Sequence, residues 1–134
     1  MDKTSQLHEV LYVSTLAPES PIKVVSQIAV QARRANEAAG ITGLLIFDGM
    51  RFCQQIEGPH KEVLALIQRN QLDSRHVGVE VLHQGPLEAR RFRRFSLGYA
   101  AVDDQDVLAQ IENAKPEQAM AQFLALIPSL DLDA

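Results

Sequence analysis

Thr42-Gly43-Leu44-Leu45-Ile46-Phe47-Asp48-Gly49-Met50-Arg51-Phe52-Cys53-Gln54-Gln55-Ile56-Glu57-Gly58-Pro59 decides the fold. Thr42 to Phe47 is nearly all apolar and reads as a strand. Asp48-Gly49 is a type I′ hairpin signal, so Met50 to Glu57 should return as a second strand beside the first. Gly58-Pro59 then opens a helix. Side chains on a strand alternate between faces, so Gln54 shares a face with Phe52 and Ile56. An amide on an apolar face must find a hydrogen-bond partner or cost about 1–3 kcal/mol. Gln55, one step on, points the other way and reads as solvated.

Upstream, Glu9 to Thr15 forms a strand that carries Tyr12 among aliphatic neighbours. Ser20-Pro21 pairs an N-cap with a proline at the first helical position. Ile22, Val25, Ala29, Ala32, Asn36 and Ala39 follow at three- and four-residue steps, and Gly40 ends that helix. Its inner face is built of small residues, with Asn36 on the apolar stripe. Tyr12, Asn36 and Gln54 are far apart in sequence and share one difficulty, which suggests one buried polar object that they share.

Downstream, Val63, Leu66, Ile67 and Asn70 lie on the inner side of the second helix. Asp73-Ser74-Arg75-His76 is a loop, Val77 to Gln84 a fourth strand broken by Gly85-Pro86, and Arg94 to Ala101 a fifth. The order βαββαββ predicts an α+β fold of ferredoxin-like type, a five-stranded mixed sheet with both helices on one face. From Asp103 the tail gives two short helices, one with Val107, Leu108 and Ile111, the other with Met120, Phe123, Leu124 and Ile127. Several strands are apolar on both sides, so the tail or a partner subunit must cover the second face.

The chain has 134 residues, which favours one domain. Apolar residues make up 46% and charged ones 22%, ordinary for a globular protein. No apolar run approaches a membrane span, and Met1 to Gln6 lacks the apolar core of a signal peptide. A single cysteine, Cys53, cannot form an internal disulfide and suits a reducing cytoplasm. A net charge of −4 disfavours nucleic acid as partner, despite the basic run Arg90, Arg91, Arg93 and Arg94, which reads as a solvated strand edge or a partner contact. His8, His60, His76 and His83 show no metal-ligand spacing.

Leu11-Tyr12-Val13-Ser14, Asn36 upstream of Gly40-Ile41-Thr42-Gly43-Leu44-Leu45, Phe52 to Pro59, Asp73-Ser74-Arg75-His76, and Arg90-Arg91-Phe92 followed by Phe95-Ser96-Leu97 together resemble the BLUF family, blue-light sensors that use FAD. The resemblance covers roughly Val10 to Ala100. It implies a flavin, FAD with FMN as the alternative, between the two helices. Tyr12 would be the electron donor, Gln54 the bridge from the tyrosine hydroxyl to the flavin, and Asn36 the holder of the pyrimidine end. Asp73, Arg75 and His76 would lie near the ribityl phosphate, and Phe95, Ser96 and Leu97 would relay the signal. It implies residues 1–101 as the flavin-binding domain and residues 102–134 as a helical extension packing on the sheet or an oligomer interface. It also resembles the short, stand-alone members, in which a homodimer or larger homo-oligomer signals to a separate regulatory protein.

Leu97 stands where methionine is usual in the family, Phe95 where tryptophan is common, and Ala35 where a polar residue often precedes the asparagine. The first two bear on the lifetime of the lit state and its output more than on flavin binding. Cys53 points away from Gln54 by alternation and lacks the motif of sensors that form a cysteine adduct. Two rival classes stand beside the sensor: a flavin-free ferredoxin-like protein-interaction module, and a small enzyme using Arg75 and Asn36 on phosphate. The enzyme is the weaker, since no activated nucleophile sits beside a base.

Overall fold

The computed structural model describes residues 6–21, 23–93 and 96–130. Five strands, β1 (Leu7–Leu16), β2 (Thr42–Phe47), β3 (Arg51–Pro59), β4 (His76–Leu87) and β5 (Gly98–Ala101), alternate with helices α1 (Val24–Ala39) and α2 (His60–Leu72). Two tail helices, α3 (Gln105–Glu112) and α4 (Pro116–Leu126), follow. The sheet order is β4-β1-β3-β2-β5, antiparallel except for the parallel β2–β5 pair. This is the ferredoxin-like mixed sheet that the sequence predicts, with β5 added at one edge.

The strand period sorts the core into two layers. Val10, Tyr12 and Ile56 face α2 with Val63, Leu66 and Ile67. Leu45, Phe47, Phe52 and Leu97 pack under α1 with Val25 and Ile28. On the other face, Leu11, Val13, Leu44, Ile46 and Cys53 meet Leu108, Ile111, Met120 and Phe123 of the tail. The tail therefore covers the second face, as the two-sided apolar strands require.

Several local expectations are corrected. α1 starts at Val24, with Lys23 at the cap and no side-chain capping bond, rather than at Ser20-Pro21. The Ser20 amide turns back to the Ala17 carbonyl (2.9 Å), and a second turn runs from Val24 to Pro21 (3.0 Å) before the helix begins. Ile22 lies outside the described residues. The β2–β3 turn is not type I′, which needs positive φ at both central residues. Only Gly49 is left-handed there (φ 98°), and the Asp48 carboxylate instead accepts from the amides of Met50 (2.9 Å) and Arg51 (2.6 Å). β4 continues through Gly85-Pro86, because it is an edge strand where a missing N–H is tolerated. β5 begins only at Gly98, and Arg94 and Phe95 lie outside the described residues.

Gly43 shows why this sheet is specific about sequence. A Cβ there would sit 2.1 Å from the Gln55 carbonyl oxygen, so only glycine lets β2 approach β3 so closely.

A cleft between two helices

Register alone brings the first two candidate residues together. Tyr12 pairs with Gln54 across β1 and β3, both side chains on the helix-covered face. The Tyr12 hydroxyl donates to Gln54 Oε1. Both are buried, Tyr12 at 1% and Gln54 at 5% exposure. A third group completes the arrangement: Asn70, near the end of α2, donates from Nδ2 to the Tyr12 hydroxyl at 2.5 Å. Burial pushes the Tyr12 hydroxyl well above its ordinary value, and the Asn70 bond only partly opposes this. At neutral pH Tyr12 is thus a protonated phenol with its one proton committed.

Asn36 reaches the same region from α1. Its backbone carbonyl accepts the amide of Ile41 (2.8 Å) as the helix closes on left-handed Gly40 (φ 70°). The side chain is therefore free of capping. Its Nδ2 donates to the Ser96 carbonyl at 2.7 Å, while its buried Oδ1 has no hydrogen-bond partner among the described residues. A buried amide oxygen without a donor is rare enough to point to a missing group.

At the far end, Arg75 grips Asp73 through Nε–Oδ1 (3.0 Å) and Nη2–Oδ2 (2.7 Å). The Arg75 bond holds the Asp73 carboxyl below its usual range. The third nitrogen of Arg75 donates to Gln31 of α1 at 2.9 Å, so this fork spans from the α2–β4 connection to α1. His76, the first residue of β4, shares a 3.0 Å hydrogen bond between Nδ1 and the Ser14 hydroxyl and lies against the Phe52 ring. Burial lowers its pKa, so the imidazole is neutral at pH 7.

Asn36, Gln54, Asp73, Arg75 and His76 line one cleft of about 140 Å³ between α1 and α2. Ala32 and Ala35 keep its α1 wall low, and Arg69 and Asn70 complete its α2 side. Tyr12 stands behind this lining and touches it through Gln54 and Asn70. Ser96 is reached only through Asn36, and Leu97 is packed in the apolar layer under α1. A larger groove of about 530 Å³ lies between α1 and β5, but its walls are mainly apolar and it gathers none of the expected site residues except by neighbourhood. Each has in its lining a buried oxygen without a hydrogen-bond partner among the described residues, Asp48 Oδ2 in the groove and Asn36 Oδ1 in the cleft; the cleft is the better candidate because it gathers the expected site residues, with Asn36, Gln54 and His76 buried there.

The donor set suits a flavin. The unpaired Asn36 Oδ1 calls for an N–H, which the isoalloxazine edge carries beside its carbonyls. Gln54 offers an amide to the same space, and Arg69 and Arg75 at the rim suit an anionic phosphate.

A second polar cluster lies on the opposite sheet face. Gln55 is not solvated, as expected from sequence, but fully buried. Its Nε2 donates to Glu57 Oε1 (2.9 Å) and Glu9 Oε1 (3.2 Å). Glu57 also accepts from the Thr42 hydroxyl (2.7 Å) and from the amides of Arg91 (2.9 Å) and Phe92 (3.0 Å). Arg91 clasps Glu9 at 2.8 and 3.0 Å, and Arg90 reaches Thr42 (2.9 Å) and the Gly40 carbonyl (2.8 Å). Burial pushes the Glu9 carboxyl up, but the bonds from Arg91 and Gln55 outweigh it and hold it below its ordinary range. Arg90 and Arg91 of the basic run thus clamp this cluster, while Arg91 and Arg93 keep contact with solvent and Arg94 lies outside the described residues.

Fold and site together define a small α+β domain built round a flavin-compatible cleft under two helices. The chain belongs to the BLUF family, described as sensors of blue light using FAD, whose family model matches residues 7–98. The blue light- and temperature-regulated antirepressor BluF of Escherichia coli (strain K12) is 31% identical over 86 residues, covering 64% of this chain and 21% of that protein. Photoactivated adenylate cyclase subunit beta of Euglena gracilis is 33% identical over 95 residues, covering 65% of this chain and 11% of that protein. The chain therefore spans about a fifth or less of the length of these relatives. Among solved structures, the dark state of BlrB, a BLUF protein, superposes with a TM-score of 0.80 at 26% identity, covering 94% of this chain and 98% of that one.

Proposed function

We propose that this protein is a blue-light photoreceptor that holds FAD, with FMN as the alternative, in the cleft between α1 and α2. Asn36 and Gln54 hold the ring, and Asp73, Arg75 and His76 lie toward the phosphate end. The observation that carries this reading is the unsatisfied Asn36 Oδ1 in the same buried cleft as a tyrosine-bonded glutamine. The flavin, when bound, supplies the absorption of blue light and an excited state that accepts an electron. Tyr12 is the donor. It gives up an electron, and its hydroxyl proton leaves along the hydrogen bond to Gln54. Both return to Tyr12, and the Gln54 amide is left rotated or tautomerised, with the absorption shifted to the red.

The rearranged amide is read out through Phe95, Ser96 and Leu97, into β5 and the tail. The Asn36–Ser96 bond supports this route, since the chain leading into β5 is tied to a ring-holding residue. We propose no enzymatic turnover. The output partner is a separate regulatory protein, the protein is a cytoplasmic homodimer or larger homo-oligomer, and residues 102–134 form an extension to a domain ending near residue 101. Among the described residues no helix is long and apolar enough to cross a membrane.

The test is a light-minus-dark absorbance spectrum of the purified protein. A reversible red shift is expected. A Gln54→Leu variant should retain flavin and lose the shift, and Tyr12→Phe should lose the signalling photocycle. A protein that stays colourless after reconstitution with FAD and with FMN supports the flavin-free interaction module instead.

A further inference from the structure

The Tyr12 hydroxyl lies between two side-chain amides, Gln54 from β3 and Asn70 from α2. A phenol has one proton to give, and it also accepts. In the observed arrangement the order is fixed: Asn70 Nδ2 donates to the Tyr12 oxygen, and Tyr12 donates to Gln54 Oε1. The Tyr12 hydroxyl is satisfied as both donor and acceptor, and the two donors point the same way along the row. A side-chain amide presents N–H on one side and C=O on the other, so a half-turn exchanges the two. If Gln54 alone turned, its Nε2 would face the Tyr12 oxygen, which already receives the Asn70 N–H, and the Tyr12 proton would have no acceptor. The row is satisfied again only if Asn70 turns as well. Gln54 then donates to Tyr12, and Tyr12 donates to Asn70 Oδ1. No third orientation satisfies all three groups.

From this geometry we infer that Asn70 is a positioning residue for the photoreaction: it sets the dark direction of the Tyr12 hydroxyl and reverses together with Gln54 in the lit state. This rests on the photoreceptor reading above. Asn70 is only partly buried, two residues before the end of α2, so its amide has room to turn where a core side chain would not. Its backbone carbonyl accepts the Asp73 amide at 3.2 Å, and Asp73 is the residue that Arg75 grips. The reversal therefore takes place at the helix end that carries one wall of the cleft.

Two variants at this one position should act in opposite directions. Asn70→Leu removes an acceptor that the lit arrangement needs for the Tyr12 proton. In the dark arrangement it only removes a donor to an oxygen, a smaller loss. Dark recovery should quicken by about tenfold, the scale of one net hydrogen bond. Asn70→Asp, ionised at pH 8.5 in its partly exposed setting, can accept but not donate. It favours the lit direction and should slow recovery by about tenfold or leave the dark spectrum already red-shifted. A residue that mattered only for packing would shift both variants the same way.

The deciding measurement is a light-minus-dark infrared difference spectrum of wild-type protein with isotope-labelled asparagine side chains. Asparagine amide bands that disappear in Asn70→Leu are expected. In flavin-free protein with labelled tyrosine, the Tyr12 C–O stretch should also move in Asn70→Leu, because the phenol oxygen loses a donor. Wild-type protein that photocycles with no asparagine band overturns the Asn70 assignment and leaves the photoreceptor reading standing. Recovery rates that change in the same direction, or by less than about twofold, overturn it too. A wild-type chain with no photocycle removes the photoreceptor reading itself, and with it this inference. Absence of asparagine bands from the labelled wild-type spectrum overturns the assignment even if a variant fails to fold or to retain flavin, and bands that persist in Asn70→Leu belong to another asparagine such as Asn36 and overturn it too.

Discussion

Replacing Arg91 by alanine should cost far more than removing an ordinary surface arginine. The guanidinium makes two charge-assisted bonds to Glu9, at 2.8 and 3.0 Å. Glu9 is 2% exposed, and without Arg91 it keeps only Gln55 at 3.2 Å and the His83 imidazole at 3.5 Å. Removing one partner of a fully buried pair costs about 3–5 kcal/mol, because the other charge is left stranded. The Arg91 side chain is 33% exposed, so water can reach the vacated place, and the loss should fall to about 2–3 kcal/mol. In urea unfolding followed by far-ultraviolet circular dichroism, with a slope of about 1–3 kcal/mol per M, the midpoint should drop by about 1 M or more. Adding Glu9→Gln to Arg91→Ala removes the stranded charge and should recover about 1 kcal/mol or more, a coupling that a double-mutant cycle reads directly.

The pH dependence has a defined sign. The folded state holds the Glu9 carboxyl below its ordinary pKa, so the pair's contribution is fully present above the unfolded value of about 4.3. It is lost as pH falls through the lower folded value. The gap between wild type and Arg91→Ala should therefore narrow as the pH falls, first as the stranded Glu9 of the variant takes up a proton and then as the wild-type carboxylate does. A cost under about 0.5 kcal/mol, the level of an ordinary surface change, would refute the reasoning. So would a gap that widens as the pH is lowered.

Three further outcomes follow from the second sheet face. Cys53 is fully buried and its thiol is pushed well up by burial, so a thiol reagent at pH 8 should leave the native protein unlabelled and react only on unfolding. Since Cys53 faces the tail rather than the cleft, Cys53→Ala should retain the red shift, and loss of the shift would implicate an adduct. Phe123 is wholly buried between α4 and the sheet, and Phe123→Ala should cost about 3–5 kcal/mol by urea unfolding. A loss below about 1 kcal/mol would mean that the tail does not pack as described.

Much of this fold is legible in the strand period. Alternation placed Gln54 beside Phe52 and Ile56, and register then delivered Tyr12 as its partner without any help from a loop. Asn36 was legible because a polar residue broke an apolar helical stripe. The same test, applied evenly, would have found the second cluster: Gln55 and Glu57 share a face with buried Cys53, yet a glutamine next to another glutamine reads as solvated. What could not be read was the partner. Arg90 and Arg91 lie 33 and 34 positions from Glu57, and Arg91 lies 82 from Glu9, and only the assembled sheet brings them together. Helix ends were misjudged for a local reason. Ser20-Pro21 has the composition of a start signal, but a separate turn closed by the Val24 amide on the Pro21 carbonyl comes first, and the helix begins after it. Asn70 was placed on the inner side of α2, and its role became visible only once the Tyr12 hydroxyl was seen to be within its reach.

Glu57 holds the amides of Arg91 and Phe92, while Asn36 holds the carbonyl of Ser96. The stretch entering β5 is thus moored at two posts, one on each side of the sheet. Even at full extension, the chain from Phe92 to Ser96 spans no more than about 14 Å. Slackening the Asn36 mooring would release Ser96, and with it the entry to β5, while Phe92 stays tethered to Glu57; cutting the Glu57 mooring would remove the fixed point against which that release is felt.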